Sequence, residues 1–236
     1  MIKDLNIAQI GHPILRNKTK DIPINDIKSN NNREWFNTNK QRYKWSLEQI
    51  KNSIVKLVEL MNSHDKIENY KIFRIYRDVR FSKNKTPYKN NFGISLVREK
   101  PKLRGGYYFH IEPSNSFSAV GFWQQEKDDL FRIRKEIDLD GKEFSDVISS
   151  KLITKKWGNL IGDSLKSSPR GFSKDHEYIS LLRRKSFLFK KNYTDQEVVS
   201  KNFIDKLNQD FLVTRIFLDY MSNVLTTDLN GISLIK

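Results

Sequence analysis

The sequence predicts an α+β fold: a mainly antiparallel sheet flanked by helices, with long N-terminal and C-terminal helices. Three observations lead there. β-prone segments cluster in the middle of the chain, between Ile72 and Trp123. Stretches with helical spacing lie on either side of them. The strand–helix–strand alternation of a parallel sheet is missing, as is any internal repeat.

The elements follow in order. Ser29-Asn30-Asn31-Asn32 is a polar run suited to capping a helix, with Glu34 in the first turn. Phe36, Tyr43, Leu47, Ile50, Ile54, Leu57 and Met61 then recur three, four or seven apart, which predicts an amphipathic helix from about Arg33 to Met61 with that stripe in the core. Ile72 to Phe81 alternates as a strand, Asn91 to Arg98 is a second, and Gly106 to Pro113 a third. Ser116 to Trp123 follows so closely that Ser114-Asn115 reads as a hairpin turn. Asp128–Ile137 and Glu143–Ser149 read as helices, and Lys166–Phe172 as a loop. Asp175–Arg184 reads as a short helix, Ser186–Lys190 as a strand, and Asp195 to about Leu225 as one long helix.

Composition bounds the chemistry. The 236 residues carry 43 Lys+Arg against 28 Asp+Glu, a net charge of +15, so anionic partners are favoured over cationic ones. An Asn-, Ile- and Lys-rich chain also produces such a surplus as a solvated surface. Cysteine is absent, which excludes a disulfide framework, a thiol nucleophile and a cysteine zinc site. Four scattered histidines give no metal-ligand spacing, so no metal is expected, and nothing points to a cofactor. No window approaches the roughly 18 apolar residues of a membrane span. The first residues show no apolar secretory segment. The expectation is a cytoplasmic protein with no membrane partner.

Two resemblances divide the chain. Residues 7–22, Ile7-Ala8-Gln9-Ile10-Gly11-His12-Pro13-Ile14-Leu15-Arg16 and onward, resemble the opening of peptide deformylases. That family needs a cysteine ligand and a His-Glu-x-x-His helix, and this chain has neither, so deformylase activity is not expected. Residues 1–26 therefore read as an N-terminal extension, and 27–236 as a single α+β domain. The most distinctive segment is Arg74-Ile75-Tyr76-Arg77-Asp78-Val79-Arg80-Phe81, with Lys85, Tyr88 and Lys89 after it and Asn31-Asn32-Arg33-Glu34-Trp35-Phe36 before it. This block resembles the family catalogued as domain of unknown function 2461. Gly106–Pro113, Phe131-Arg132-Ile133-Arg134 and Pro169-Arg170-Gly171-Phe172 with Asp175-His176 fit the same resemblance. It carries no catalytic residues over to this chain.

Physically, the block has two readings. As a strand it puts Arg74, Tyr76, Asp78 and Arg80 on one face, with Asp78 between two guanidiniums and Arg77 opposite. As a helix it pairs Arg74 with Asp78. Arginine forks recognise phosphate and carboxylate, so Arg74, Arg77, Asp78, Arg80, Lys85 and Tyr88 are candidates for an anion site, and equally for an internal charge network. His110 has Tyr108 and Glu112 on its own face, and that pairing suits acid/base work or simple hydrogen bonding. Arg170 joins the candidates from its loop. Three functions remain open: a domain binding an anionic ligand, phosphate-bearing ones included; an enzyme on a phosphorylated substrate with Asp78 or His110 as acid/base; and a nucleic-acid-associated basic protein.

Overall fold

The computed structural model describes residues 27–235 with the exception of Lys28. The deformylase-like tract lies outside the described residues. Helix α1 (Arg33–Met61) begins where the sequence places it, because the Asn32 side chain accepts the Trp35 amide at 2.9 Å. The predicted stripe is its buried side. Phe36, Ile50, Ile54, Leu57 and Met61 are buried, while Tyr43 and Leu47 pack partly buried against the core.

Five strands follow: β1 (Ile67–Ile72), β2 (Phe92–Arg98), β3 (Gly106–Ile111), β4 (Ser116–Phe122) and β5 (Phe187–Tyr193). They form one sheet in the order β1-β2-β3-β4-β5, every pair antiparallel. This is the α+β architecture expected. The helices are α2 (Lys127–Ile148), α3 (Lys151–Trp157), α4 (Ile179–Leu182), α5 (Asp195–Val198), α6 (Phe203–Val213) and α7 (Arg215–Thr226). Because strand side chains alternate, one sheet face presents Ile94, Leu96, Tyr107, Phe109, Ile111, Val120 and Phe189 to the core shared with these helices. The other face presents Gly93 and Ser95 of β2, Tyr108 and His110 of β3, and Phe117 and Ala119 of β4.

Three expectations are corrected. The first strand is Ile67–Ile72 and not Ile72–Phe81. After the Phe73 amide bonds to the Gly93 carbonyl at 2.9 Å, the chain leaves the sheet. It returns through a small ladder of its own, in which Tyr76 bridges Tyr88. The cause is a second small core, where Ile75 and Tyr88 pack with Phe36 and the Phe36 and Tyr88 rings stack at 4.0 Å. The two helices expected at Asp128–Ile137 and Glu143–Ser149 are present as the two halves of α2, which meet at a kink where Asp140 (φ −139°, ψ 70°) is not helical. The helix expected at Asp175–Arg184 shrinks to α4, because the His176 ring Nδ1 accepts the Tyr178 amide at 3.0 Å and holds a turn. The single long C-terminal helix is three. α5 is closed by a Thr194–Glu197 capping box, and Thr214 separates α6, which packs on α1, from α7, which packs on α2. The Thr214 hydroxyl donates to the Phe211 carbonyl at 2.7 Å, a side-chain bond that ends the α6 ladder.

The core contains a buried charge network. Arg98 is fully buried and meets buried Asp65 at 2.9 Å. Its guanidinium also donates to Asp219, to the Ser222 hydroxyl and to the Arg104 carbonyl, and the Tyr107 hydroxyl donates to Asp65. The charge therefore ties β2 and β3 to α7.

Candidate functional site

The distinctive block forms a hairpin-like arm at the edge of the sheet. Arg77 N–H donates to the Pro87 carbonyl and Lys89 N–H to the Ile75 carbonyl, at 2.9 and 2.7 Å. The arm is clamped to the start of α1 by Asn31. Its side-chain amide donates to the Tyr88 carbonyl and its carbonyl accepts the Tyr88 N–H, at 2.9 and 3.0 Å. Asn31 and Tyr88, which belong to the motif, are thus used to dock arm on helix, while Asn32 caps the helix.

Neither reading of the block's side chains describes this arm. Among the described residues Asp78 bonds to Arg80, through two side-chain bonds of 2.6 and 3.0 Å and the Arg80 N–H at 3.2 Å, and Arg74 acts on it only through its charge. Those bonds, the side-chain ones foremost, hold its carboxyl below the usual range. The pair is solvent-exposed. Lys85 Nζ donates to the Val79 carbonyl at 2.9 Å and so closes the arm's tip.

Between arm and sheet lies a cleft of about 540 Å³. Arg77, Asp78 and Lys89 line it from the arm, and Phe73, Gly93 and Tyr108 from the sheet. The Arg77 guanidinium and the Lys89 ammonium have no ion pair among the described residues, and Lys89 sits 5.8 Å from the Phe73 ring centroid. Burial, together with the positive charges of Arg74 and Arg77, pushes the Lys89 ammonium pKa down. Cations are therefore held together here without a matching set of anions.

A wider groove of about 930 Å³ continues from the cleft across the open sheet face. Phe73 and Tyr108 line both cavities. His110 lies in the groove, its ring stacked on Phe117 at 4.7 Å and 14°. Its Nδ1 meets the Tyr108 hydroxyl at 3.1 Å and its Nε2 meets Glu112 at 3.2 Å. Asn90 and Asn115 donate to the same carboxylate at 2.5 and 2.8 Å. Burial acts to raise the Glu112 carboxyl, but the bonds from Asn115, His110 and Asn90 together hold it below its ordinary value.

The candidates thus separate. Arg77 and Asp78 share the cleft, and His110 stands in the adjoining groove. Arg74 is exposed and acts on the cleft through its charge on Lys89. Arg80, Lys85, Tyr88 and Arg170 line neither cavity, and Arg170 is exposed on its own loop. Arg132 and Arg134, also in the motif pieces, donate to backbone carbonyls of Thr227, Asp228, Leu182 and Arg184 and so fasten loops to α2. Sequence reasoning counted Lys89 only among the positive charges clustered around the block, took Tyr108 only as a neighbour of His110, and missed Gly93 altogether. The signal for Tyr108 was present, since it shares the His110 face of β3. Lys89 and Gly93 meet it only through the course of the arm. No group of three or more metal-ligating side chains occurs among the described residues.

A family model described as a conserved hypothetical protein, DUF2461, matches residues 24–220. No curated protein and no solved structure gives a match.

Proposed function

The chain belongs to the conserved hypothetical family DUF2461, and we propose that it binds an anionic ligand, a phosphate group among the candidates, in the cleft between arm and sheet. One observation carries this reading. Arg77 and Lys89 face a shared cavity without carboxylate partners among the described residues, and the Lys89 ammonium is destabilised by its burial and its cationic neighbours. Such an arrangement is self-repulsive when empty and is relieved by an anion. Among the described residues Asp78 is the one carboxylate lining the cleft, and Arg80 already pairs with it. The same reading takes residues 27–236 as the binding domain, residues 1–26 as an extension, and the protein as cytoplasmic. No helix among the described residues is long and apolar enough to cross a membrane.

The test is a thermal melt of the full chain with orthophosphate or sulfate. A ligand that binds the native state raises the melting temperature with concentration. The rise is expected for the wild type and is lost in Arg77→Ala. It persists at moderate ionic strength, whereas diffuse attraction of a polyanion falls steeply with salt. Equal shifts in wild type and Arg77→Ala would remove the cleft from the account.

A further inference from the structure

We propose that Tyr108 is a catalytic nucleophile toward a phosphate ester held at Arg77 and Lys89, with His110 as its base and Glu112 as the group that orients the base. This rests on the anion reading of the cleft and adds a reaction to it.

The three residues alternate along β3 and its end, so their side chains share the open face of the sheet. Glu112 is ionised, and a carboxylate only accepts, so the His110 Nε2 carries the proton of the 3.2 Å bond. In the tautomer with that proton on Nε2, Nδ1 accepts, and the Tyr108 O–H donates to it at 3.1 Å. The hydroxyl, the base and the orienting carboxylate therefore stand in the order that activates a hydroxyl nucleophile. Each part is fixed. The imidazole is stacked on Phe117, and Glu112 is held by Asn115 and by Asn90, which itself lines the cleft. Tyr108 leans over Gly93, and both line the cavity that Arg77 and Lys89 share. Burial pushes the Tyr108 hydroxyl pKa up, so it reacts only with a base beside it.

The step balances without a further reactant. The Tyr108 oxygen bonds to phosphorus as the bond to the leaving oxygen breaks. The tyrosine proton passes to His110 Nδ1, and the imidazolium returns it to the leaving oxygen. Arg77 and Lys89 stabilise the charge on the phosphoryl oxygens. Water then cleaves the phosphotyrosine bond, giving one proton back to the phenol through His110 and releasing phosphate.

The test measures labelling of tyrosines in the full-length protein by an arylsulfonyl fluoride, resolved by peptide mass spectrometry. Tyr108 should react faster than Tyr76, although Tyr76 is 47% exposed. His110→Gln and Glu112→Gln should slow Tyr108 on the order of a hundredfold while leaving Tyr76 unchanged. That internal control, with the melt of each variant, separates loss of the base from loss of the fold. Orthophosphate should protect Tyr108 in the wild type and not in Arg77→Ala. Rapid quench with 4-nitrophenyl phosphate should trap phosphate on Tyr108. Tyr108 labelling no faster than Tyr76, or unchanged in both variants, overturns the proposal. So does an absence of phosphotyrosine on quench. If phosphate still raises the melting temperature in those cases, the anion reading survives and the catalytic one fails. If phosphate does neither, both fail.

Discussion

The Tyr108 hydroxyl occupies the space that a side chain on Gly93 would need. A Cβ at residue 93 would stand 2.5 Å from that oxygen and 3.3 Å from two ring carbons. This glycine is present for room and not for backbone freedom, and the room is what lets Tyr108 reach His110 while lining the cleft.

Gly93→Ala should therefore move the Tyr108 ring off His110. Overpacking of this kind costs about 1–3 kcal/mol. The check is a denaturant melt together with Tyr108 labelling. A fully stable variant with unchanged labelling would mean that the ring has another resting place.

Lys89→Met should raise stability in phosphate-free buffer at neutral pH. The sign follows from linkage. The folded pKa lies below the ordinary 10.5, so the unfolded chain binds the proton more tightly. The penalty is fully present below the folded value and is relieved as pH rises through it toward 10.5. Removing the charge removes the penalty, and it removes the anion's stabilising effect as well. A variant less stable than wild type at pH 7, in the absence of anion, would contradict the cationic strain.

Leu57→Ala should cost about 2–5 kcal/mol, because Leu57 is fully buried. Leu47→Ala should cost less, since Leu47 sits at the margin of the core. Chemical denaturation of both variants checks the order.

Asp65→Ala should cost about 3–5 kcal/mol, because it removes the fully buried carboxylate partner of the buried Arg98 guanidinium. The double replacement of Asp65 and Arg98 by apolar residues should recover part of that loss. Equal loss in single and double variants would show that the pair is not coupled.

Much of this fold is written in local sequence. The α1 stripe, the Asn32 cap and the tight β3–β4 connection are all signalled by residues close together in the chain. The departures are tertiary. Residues 73–81 alternate like a strand, yet Ile75 is drawn out of the sheet to Phe36 and Tyr88, contacts that no local pattern reveals. The C-terminal helices share one apolar periodicity, but α6 and α7 pack on different partners and must change direction at Thr214. The site was half legible. Arg77, Asp78 and His110 stood out by residue type, whereas Lys89 and Gly93 acquire meaning only when the arm folds back across β2. Arg80 and Lys85 looked equivalent to Arg77 in sequence and are instead used within the arm itself.

The most direct measurement is a phosphate titration followed by amide NMR on the isotope-labelled full chain. The account predicts saturable shifts concentrated at Phe73, Arg77, Lys89, Gly93 and Tyr108, absent at Arg170, and abolished by Arg77→Ala. Shifts spread over the lysine-rich surface without saturation, or centred away from the cleft, would contradict it.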